Sequence, residues 1–285
     1  MLSPESPDGP VVLIVPGSGH TDRDGNSPQG LKASTYRLLA EGLAARGIAS
    51  VRIDKRGMFG SRAAVADANA VTIGAYAEDV GAWIAAIRRW TGVGCVWLLG
   101  HSEGGLVAMV AAAKPADTCG LLLAAAPGRP LGDILRAQFR SNPANAPLLD
   151  QAWRAIAALE AGERVPTGDM HPALLPLFRP EVQDFMIDLL KWDPAALLAE
   201  ASVPVLVLQG ARDLQIDVQD ARRLKAANPA AELVLIPDAN HVLKTVPPDD
   251  RAANLATYAN PNLPLAEGVT EALAQFIRSG TGRGR

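Results

Sequence analysis

Short apolar runs alternate with longer segments of helical periodicity along most of the chain. The apolar runs are bounded by glycine, proline or polar residues and predict strands at 11–15, 48–53, 96–99, 121–126, 205–209 and 233–236. Segments with apolar positions three and four residues apart predict helices at 35–46, 73–90, 105–113, 218–227 and 266–278. Strands and helices in this order are typical of a mostly parallel sheet with helices on both faces. The pattern therefore predicts an α/β fold.

One interval, from residue 127 to residue 204, breaks this alternation. It is far longer than an ordinary connection between a helix and a strand, and proline recurs within a series of apolar helical segments. We expect this interval to contain a helical cap at 128–201, inserted into a core that is formed by 1–127 and 202–285.

The composition is that of an ordinary globular protein. The 285 residues include 48% hydrophobic and 20% charged residues, and the formal net charge is -3. This weak negative balance gives no electrostatic reason to bind nucleic acid or an anionic membrane, and no apolar run is long enough to span a bilayer. The first residues lack the basic start and apolar core of a signal peptide, so we expect a cytoplasmic protein. Its oligomeric state is left open.

The two cysteines, Cys95 and Cys119, each lie beside an apolar strand. If these strands are parallel neighbours, the two thiols lie at the same end of the sheet. In a cytoplasmic protein we nevertheless expect two small, reduced side chains. The spacing of cysteine and histidine resembles no metal site, so neither a metal nor another cofactor is expected.

A serine between glycines lies where the third predicted strand gives way to a helix. The run from Gly100 to Gly104, Gly-His-Ser-Glu-Gly, has the pattern of a nucleophile elbow, in which the serine occupies a strained turn. Glycines are needed around that turn because a Cβ would collide with the strand or the helix. Ser102 is therefore a candidate nucleophile. The alternative is an unused serine in a glycine-rich turn.

The strand pattern, the elbow and the long insertion together resemble an α/β-hydrolase over nearly the whole chain. In that family the acid follows the strand after the cap and the histidine follows the last strand. Asp213 and His241 occupy these two places, so the resemblance implies a triad of Ser102, Asp213 and His241. Asp217 and Asp238 are alternative acids, for which we expect a helix cap and a turn residue.

The chemistry requires such a triad independently of the family. A serine hydroxyl is a weak nucleophile at neutral pH, so an imidazole must take its proton and a carboxylate must orient that imidazole. Of the other histidines, His101 adjoins the nucleophile and should point away from it. His171 lies in the predicted cap, and His20 lies on the first loop without a carboxylate to orient it. His241 is the expected base.

Acyl transfer also requires N–H groups that stabilise the oxyanion. In an elbow one donor is the backbone N–H of the residue after the serine, here Glu103. By resemblance to the family's His-Gly-x segment, the second donor is the N–H of Ser18, although Pro16 stands where many relatives have histidine. Residues 17–26 are similar to the Gly-Ser-Gly-x-x-Asp-Arg-Asp-Gly-Asn signature of a bacterial branch of esterases and serine-peptidase-like proteins.

Two other interpretations of this glycine-rich loop are weaker. Residues 17–19 imitate a dinucleotide-binding fingerprint, but Asp22 stands in place of its third glycine and the loop opens no helix. Residues 22–26 imitate a calcium loop, but Ala33 stands where that loop needs a glutamate. We expect Asx turns and an ion pair of Arg23 to stiffen the loop instead.

The predicted cap bears on the substrate. Its residues 174–192 are rich in apolar side chains, most of which should form its own core. Some should face the serine, because a cap that covered only itself would leave the elbow open to water. The expected substrate-binding residues are Phe178, Phe185, Met186 and Leu189.

The sequence as a whole predicts a hydrolase for small carboxylic esters with short- to medium-chain groups, acting through an acyl-enzyme on Ser102. The alternatives on the same triad are a serine aminopeptidase or related amide hydrolase, a thioesterase and an acyltransferase. A non-catalytic ligand-binding protein is disfavoured by the joint presence of the three triad residues. An aminopeptidase would need a carboxylate for the substrate amine, for which the predicted cap offers Asp133, Asp150, Glu160, Asp184 and Asp188.

Overall fold

A parallel β-sheet forms the centre of the protein, for which a computed structural model describes residues 1–2, 9–67, 69–114 and 117–281. Most of the segment considered above for a signal peptide, residues 3–8, lies outside this description. The strands are β1 (Val11–Val15), β2 (Ala49–Arg52), β3 (Val96–His101), β4 (Thr118–Ala124), β5 (Val205–Gly210) and β6 (Glu232–Ile236). All neighbours pair in parallel, in the order β2-β1-β3-β4-β5-β6. The carboxyl ends of all these strands therefore meet at one edge of the sheet.

Helices cover both faces of this sheet. In the core they are α1 (Thr35–Ala44), α2 (Ile73–Thr91), α3 (Glu103–Ala112), α9 (Val218–Ala227), α10 (Arg251–Ala256) and α11 (Val269–Thr281), and between β4 and β5 they are α4 (Leu131–Ser141), α5 (Leu149–Glu160), α6 (Leu175–Phe178), α7 (Gln183–Leu190) and α8 (Pro194–Ala199). Short 3₁₀ turns occupy Phe59–Ala64, Pro143–Leu148, Pro180–Val182 and Thr257–Ala259. In the described ranges, no helix is long and apolar enough to cross a membrane.

The alternation of side chains along each strand divides the core into two layers. In β1, Val11, Leu13 and Val15 pack with α2 and α3, whereas Val12 and Ile14 pack with α1 and α11. Because β1 is buried on both faces, its sequence is a continuous apolar run rather than an alternating one. The predicted α/β fold is confirmed.

The predicted strands agree with the structure to within a few residues, and the largest difference is at β4. The prediction was 121–126, but β4 begins at Thr118, which pairs with Val96 across a register shift. It ends at Ala124 because Ala125 adopts a left-handed conformation with φ of 48°, which turns the chain out of the sheet.

The helices α4 to α8 occupy the interval for which a cap was predicted. Their buried side chains, including Ile156, Leu174 and Phe178, pack together and join the layer that contains α2 and α3. The interval is therefore helical as expected. The division of the chain into a cap at 128–201 and a core on either side of it stays a prediction.

The expectation of two reduced cysteines is wrong for this structure. Cys95 and Cys119 form a disulfide, with their Cα atoms 5.2 Å apart. Cys95 lies directly before β3, and Cys119 lies near the start of β4, between the residues that pair with Val96 and Trp97, where the register shifts. The expectation rested on a cytoplasmic location, which itself stays a prediction, and disulfides are typical of oxidising compartments.

We expect loss of this disulfide to lower the free energy of unfolding by about 3 kcal/mol, because the bond closes a loop between residues 24 apart and so restricts the unfolded chain. Urea unfolding of protein prepared under oxidising conditions, with and without reductant, measures the difference. The control is Cys95→Ser/Cys119→Ser, which should match the reduced protein and not respond to reductant. Two titratable thiols in the oxidised, unfolded protein would contradict the pairing.

Candidate active site

The turn between β3 and α3 has the backbone geometry predicted for a nucleophile elbow. Ser102 adopts φ of 56° and ψ of -126°, a backbone conformation that residues other than glycine rarely adopt. Its N–H donates to the Ala124 carbonyl at 3.0 Å, and α3 begins at the next residue. A Cβ at Gly100 would lie 2.3 Å from the Gly104 carbonyl oxygen, and one at Gly104 would lie 2.2 Å from that of Val15. The glycines thus allow α3 to pack closely against the ends of β3 and β1.

The loops after β5 and β6 bring a carboxylate and an imidazole together. His241 Nδ1 lies 2.8 Å from Asp213 Oδ2, and both side chains are buried. The other oxygen of Asp213 accepts hydrogen bonds from the backbone N–H groups of Gln215 (2.7 Å) and Ile216 (3.0 Å). Because a carboxylate only accepts hydrogen bonds, Asp213 keeps the proton on Nδ1 and leaves Nε2 of His241 free to accept another.

The other two candidate acids lie elsewhere. Asp217 precedes α9 and accepts hydrogen bonds from its first N–H groups, including that of Gln219 at 2.7 Å, as expected of a helix cap. Asp238 is exposed and lies 4.0 Å from the guanidinium of Arg212. Of the three carboxylates, the structure brings only Asp213 to His241.

His101 is turned away from the nucleophile position and links two loops of the site. Its Nε2 lies 2.8 Å from the backbone oxygen of His241, and its Nδ1 lies 3.1 Å from Tyr36 Oη. Burial, together with the nearby His241, lowers the pKa of His101 to about 4. The ring is therefore neutral near pH 7, with its single proton on Nε2, where a carbonyl must accept it.

The two remaining histidines lie on the surface, and the elbow serine lies beside the loop after β1. His20 and His171 are exposed, and His171 Nδ1 accepts a hydrogen bond from the Ala173 N–H. Ser102 shares a cavity wall with the loop residues Ser18 and Gly19. Among the described residues, no hydrogen bond joins the Ser102 hydroxyl to His241; such bonds often tighten only when a substrate is bound.

The loop after β1 is held by the interactions predicted for it. Asp22 Oδ1 accepts hydrogen bonds from the N–H groups of Asp24 (2.9 Å) and Asn26 (2.8 Å), and Arg23 forms an ion pair with the buried Asp54. The Asx turns and the ion pair are therefore confirmed. In the ranges that the structure describes, no group of three or more His, Cys, Asp or Glu side chains is arranged to hold a metal ion.

Two buried residues of the site were missed from the sequence. Tyr36 Oη accepts a hydrogen bond from the Gly17 N–H at 2.8 Å, and Lys55 Nζ donates to the Gly17 carbonyl at 2.7 Å. Lys55 also pairs with Glu103 at 3.0 Å. Lys55 follows β2 at the carboxyl edge of the sheet, but its bond to a distant backbone carbonyl leaves no signal in the sequence that could have indicated it.

A cavity of about 380 Å³ opens above the elbow, between the core and the inserted helices. Phe185, Met186 and Leu189 line it, but Phe178 does not. That the three lining residues bind substrate stays a prediction. The Phe178 side chain is fully buried among the inserted helices. The prediction for Phe178 is therefore wrong, because its side chain packs in the core of this helical layer. The other lining residues include Ser18, Ser102, Glu103, Leu106, Arg129, Leu131, Ile134, Leu135, Gln138, Leu177, Val182, Trp192, Gln215 and Ile216.

The chain is similar to one known esterase in sequence and to several solved proteins in structure. The chain is 25% identical over 240 residues to Esterase EstD of Thermotoga maritima, covering 82% of this chain and 54% of that protein, so it spans about half the length of this relative. A thermophilic esterase from Thermogutta terrifontis has 23% identity and a TM-score of 0.56, with 95% of this chain and 90% of that chain covered. Est1E from Butyrivibrio proteoclasticus, solved with ferulic acid, has 17% identity and a TM-score of 0.59, with 98% and 92% covered.

The sequence profile described as the Alpha/beta hydrolase family matches residues 11–257, which include every strand of the sheet, the elbow, Asp213 and His241. The solved structures share the fold. The chain therefore belongs to the α/β-hydrolase family.

Proposed function

We propose that this protein hydrolyses small carboxylic esters through an acyl-enzyme on Ser102. The observation that carries the proposal is the pair of Asp213 and His241, joined by a 2.8 Å hydrogen bond at the same sheet edge as the strained elbow serine. Asp213 orients His241, whose free Nε2 takes the proton as Ser102 Oγ attacks the ester carbonyl. The same imidazole then donates that proton to the leaving alkoxide.

The oxyanion of the tetrahedral intermediate is stabilised by two backbone N–H groups, those of Ser18 and Glu103. Glu103 begins α3, so its N–H is unpaired within the helix and lies beside the nucleophile. Ser18 lines the same cavity as Ser102. Water then attacks the acyl-enzyme, with His241 again acting as base, and releases the acid. No cofactor takes part in either half of this proposal.

The cavity supports an apolar acyl or alcohol group as the part of the substrate that is bound. Its wall is mostly apolar, with Phe185, Met186 and Leu189 from α7 facing the elbow. Arg129, which also lines it, is neutralised by the buried Asp220 and by Asp217. The inserted helices therefore act in this proposal as a cap that supplies the substrate pocket. The esterase names of EstD and of the T. terrifontis protein agree with this choice.

A serine aminopeptidase is the second candidate, because it would use the same triad. It needs a carboxylate near the cleaved bond to pair with the substrate amine. Among the described residues that line the cavity, the only carboxylate is Glu103, and Lys55 already neutralises it. The five acidic residues considered for this role lie outside the cavity wall. Four of them are paired: Asp184 with Arg164, Asp188 with Lys191, and both Glu160 and Asp133 with Arg136. An ester is therefore favoured over a peptide, while thioester hydrolysis and acyl transfer stay open on the same site.

The first test is reaction with a fluorophosphonate probe, which labels only a serine that is activated as a nucleophile. We expect one label per chain on Ser102 and none on Ser102→Ala, with ester turnover lower by several orders of magnitude in that variant because the attacking oxygen is absent. Circular dichroism confirms the fold of the variant. Absence of labelling in the unaltered protein would favour the non-catalytic ligand-binding alternative.

A second test separates the three candidate acids. Asp213→Asn should lower kcat at least about a thousandfold, because the amide no longer holds the correct tautomer of His241. Asp217→Asn and Asp238→Asn are matched controls, and we expect each to keep kcat within about threefold. Asparagine caps a helix as well as aspartate does, and Asp238 is exposed and takes no part in the hydrogen bond between Asp213 and His241. A larger loss in Asp238→Asn than in Asp213→Asn would move the acid to Asp238.

The pocket is tested with p-nitrophenyl esters from acetate to decanoate. We expect kcat/KM to rise with each methylene, by up to roughly 0.8 kcal/mol, until the cavity is full, and to fall for longer chains. Leu189→Phe should shift the optimum to shorter chains, whereas Phe178→Leu, at a buried position outside the cavity, should not. A preference for aminoacyl p-nitroanilides over all the esters would support the peptidase instead.

A further inference from the structure

Buried polar side chains bind both the N–H and the carbonyl of Gly17. Its N–H donates to Tyr36 Oη at 2.8 Å, and its carbonyl accepts from Lys55 Nζ at 2.7 Å. Tyr36 is 2% exposed and Lys55 is 4% exposed. The cost of burying a lysine ammonium is large unless it is paired and hydrogen-bonded. A role in holding the Gly17 carbonyl would explain why the Lys55 side chain is buried.

The Gly17 carbonyl belongs to the same peptide unit as the Ser18 N–H. In a planar trans peptide the C=O and N–H bonds point in opposite directions. Lys55 binds the carbonyl, so the Ser18 N–H points away from the ammonium. Ser18 and Ser102 line the same cavity. This peptide is close to the nucleophile, since a Cβ at Gly17 would lie 3.2 Å from the Ser102 Cβ.

The partner of Lys55 connects it to the other proposed oxyanion donor. The Lys55 ammonium pairs with the Glu103 carboxylate at 3.0 Å, both side chains are buried, and Lys55 Nζ lies 5.1 Å from the centre of the Tyr76 ring. Glu103 is the residue whose backbone N–H is the second donor. Lys55, in the loop after β2, thus links the loop after β1 to the first turn of α3 through its hydrogen bond to Gly17 and its ion pair with Glu103. The two proposed donors are thereby connected.

We propose that Lys55 and Tyr36 are positioning residues that hold the Gly17–Ser18 peptide as an oxyanion donor, and that the Glu103 carboxylate keeps Lys55 in place. This inference rests on the proposed function. The ammonium polarises the peptide through a charge-assisted hydrogen bond in a dry environment, so the opposite N–H becomes a stronger donor as negative charge develops on the substrate oxygen.

The hydrogen bonds around Tyr36 have one consistent direction. His101 Nε2 donates to the His241 carbonyl, and because burial lowers the pKa of His101 to about 4, its Nδ1 carries no proton near pH 7. Tyr36 must therefore donate its hydroxyl proton to Nδ1, which leaves its oxygen to accept from Gly17. The oxyanion loop and the backbone of the proposed base are thus joined through Tyr36 and His101.

The test compares the double variant Lys55→Met/Glu103→Gln with Glu103→Gln alone. The double variant removes both buried charges together, so neither is left unpaired. We expect it to lower kcat by about tenfold to a hundredfold, less than the loss of a whole donor, with KM nearly unchanged. Glu103→Gln alone keeps the Lys55 ammonium but removes the carboxylate that holds it, so we expect a decrease in kcat that is smaller than that of the double variant, with the same direction of change in Ki.

A trifluoromethyl ketone supplies a readout that a purely structural role would not move. It forms an adduct on the nucleophilic serine whose oxyanion occupies the donor site, so its Ki should rise in the double variant by the same factor by which kcat/KM falls. Active-site titration corrects for unfolded protein. Arg88→Met/Asp117→Asn removes a half-exposed ion pair remote from the site and is the matched control: it should lower stability without changing kcat or Ki.

Tyr36→Phe tests the hydrogen bond that holds the Gly17 N–H, in the peptide unit before the proposed donor, and it is the deciding variant if the double variant does not fold. We expect a decrease in kcat of about tenfold with the same rise in Ki, and no shift in the pH profile of kcat/KM; a shifted profile would mean that the change acts on His241 instead. Full activity and unchanged Ki in the folded double variant, or in Tyr36→Phe, would overturn the inference. Failure of the unaltered protein to cleave any ester or to be labelled would overturn the proposed function itself.

Discussion

The strained turn at Ser102 is the constraint on which the rest of the site depends. A sharp reversal from β3 into α3 requires that no side chain fill the space at Gly100 and Gly104, where a Cβ would lie 2.3 Å and 2.2 Å, respectively, from a carbonyl oxygen. The cost of a strained backbone is of the order of 1–3 kcal/mol per residue and must be offset by the surrounding packing. Here that packing is the fully buried apolar strand β3 between two layers of helices, and the nucleophile follows this strand directly.

The residues at strand ends were predictable, and those that act through the backbone were not. Asp213 and His241 each follow an apolar strand, and in a parallel sheet such residues share one edge with the elbow. Lys55 also follows a strand, but its principal partner is a carbonyl oxygen of a residue 38 positions away, which leaves no pattern in the sequence. Tyr36 is similar, because its position on α1 indicates only an apolar contact with the core.

Other errors have different physical causes. Phe178 and Phe185 are both aromatic residues of the inserted helices, and only the way in which these helices pack decides that Phe185 faces the cavity while Phe178 fills the layer behind it. The short helix α10 was not predicted because six residues carry too little periodicity to be recognised. The cysteine pair was placed correctly at one end of neighbouring strands, but its oxidation state was judged from an assumed compartment rather than from geometry.

The disulfide lies at the end of β3 that is opposite the nucleophile, and this has a consequence for strand alignment. A slip of one residue between β3 and β4 would exchange the faces of every side chain on the slipped strand and carry Ser102 away from the loop after β1. The bond between Cys95 and Cys119 joins the two strands at the register shift after Val96. The bond therefore restrains the relative movement of the two strands at a point about 20 Å from the serine, a distance set by the length of β3, and so opposes a slip that would separate the proposed nucleophile from its donors.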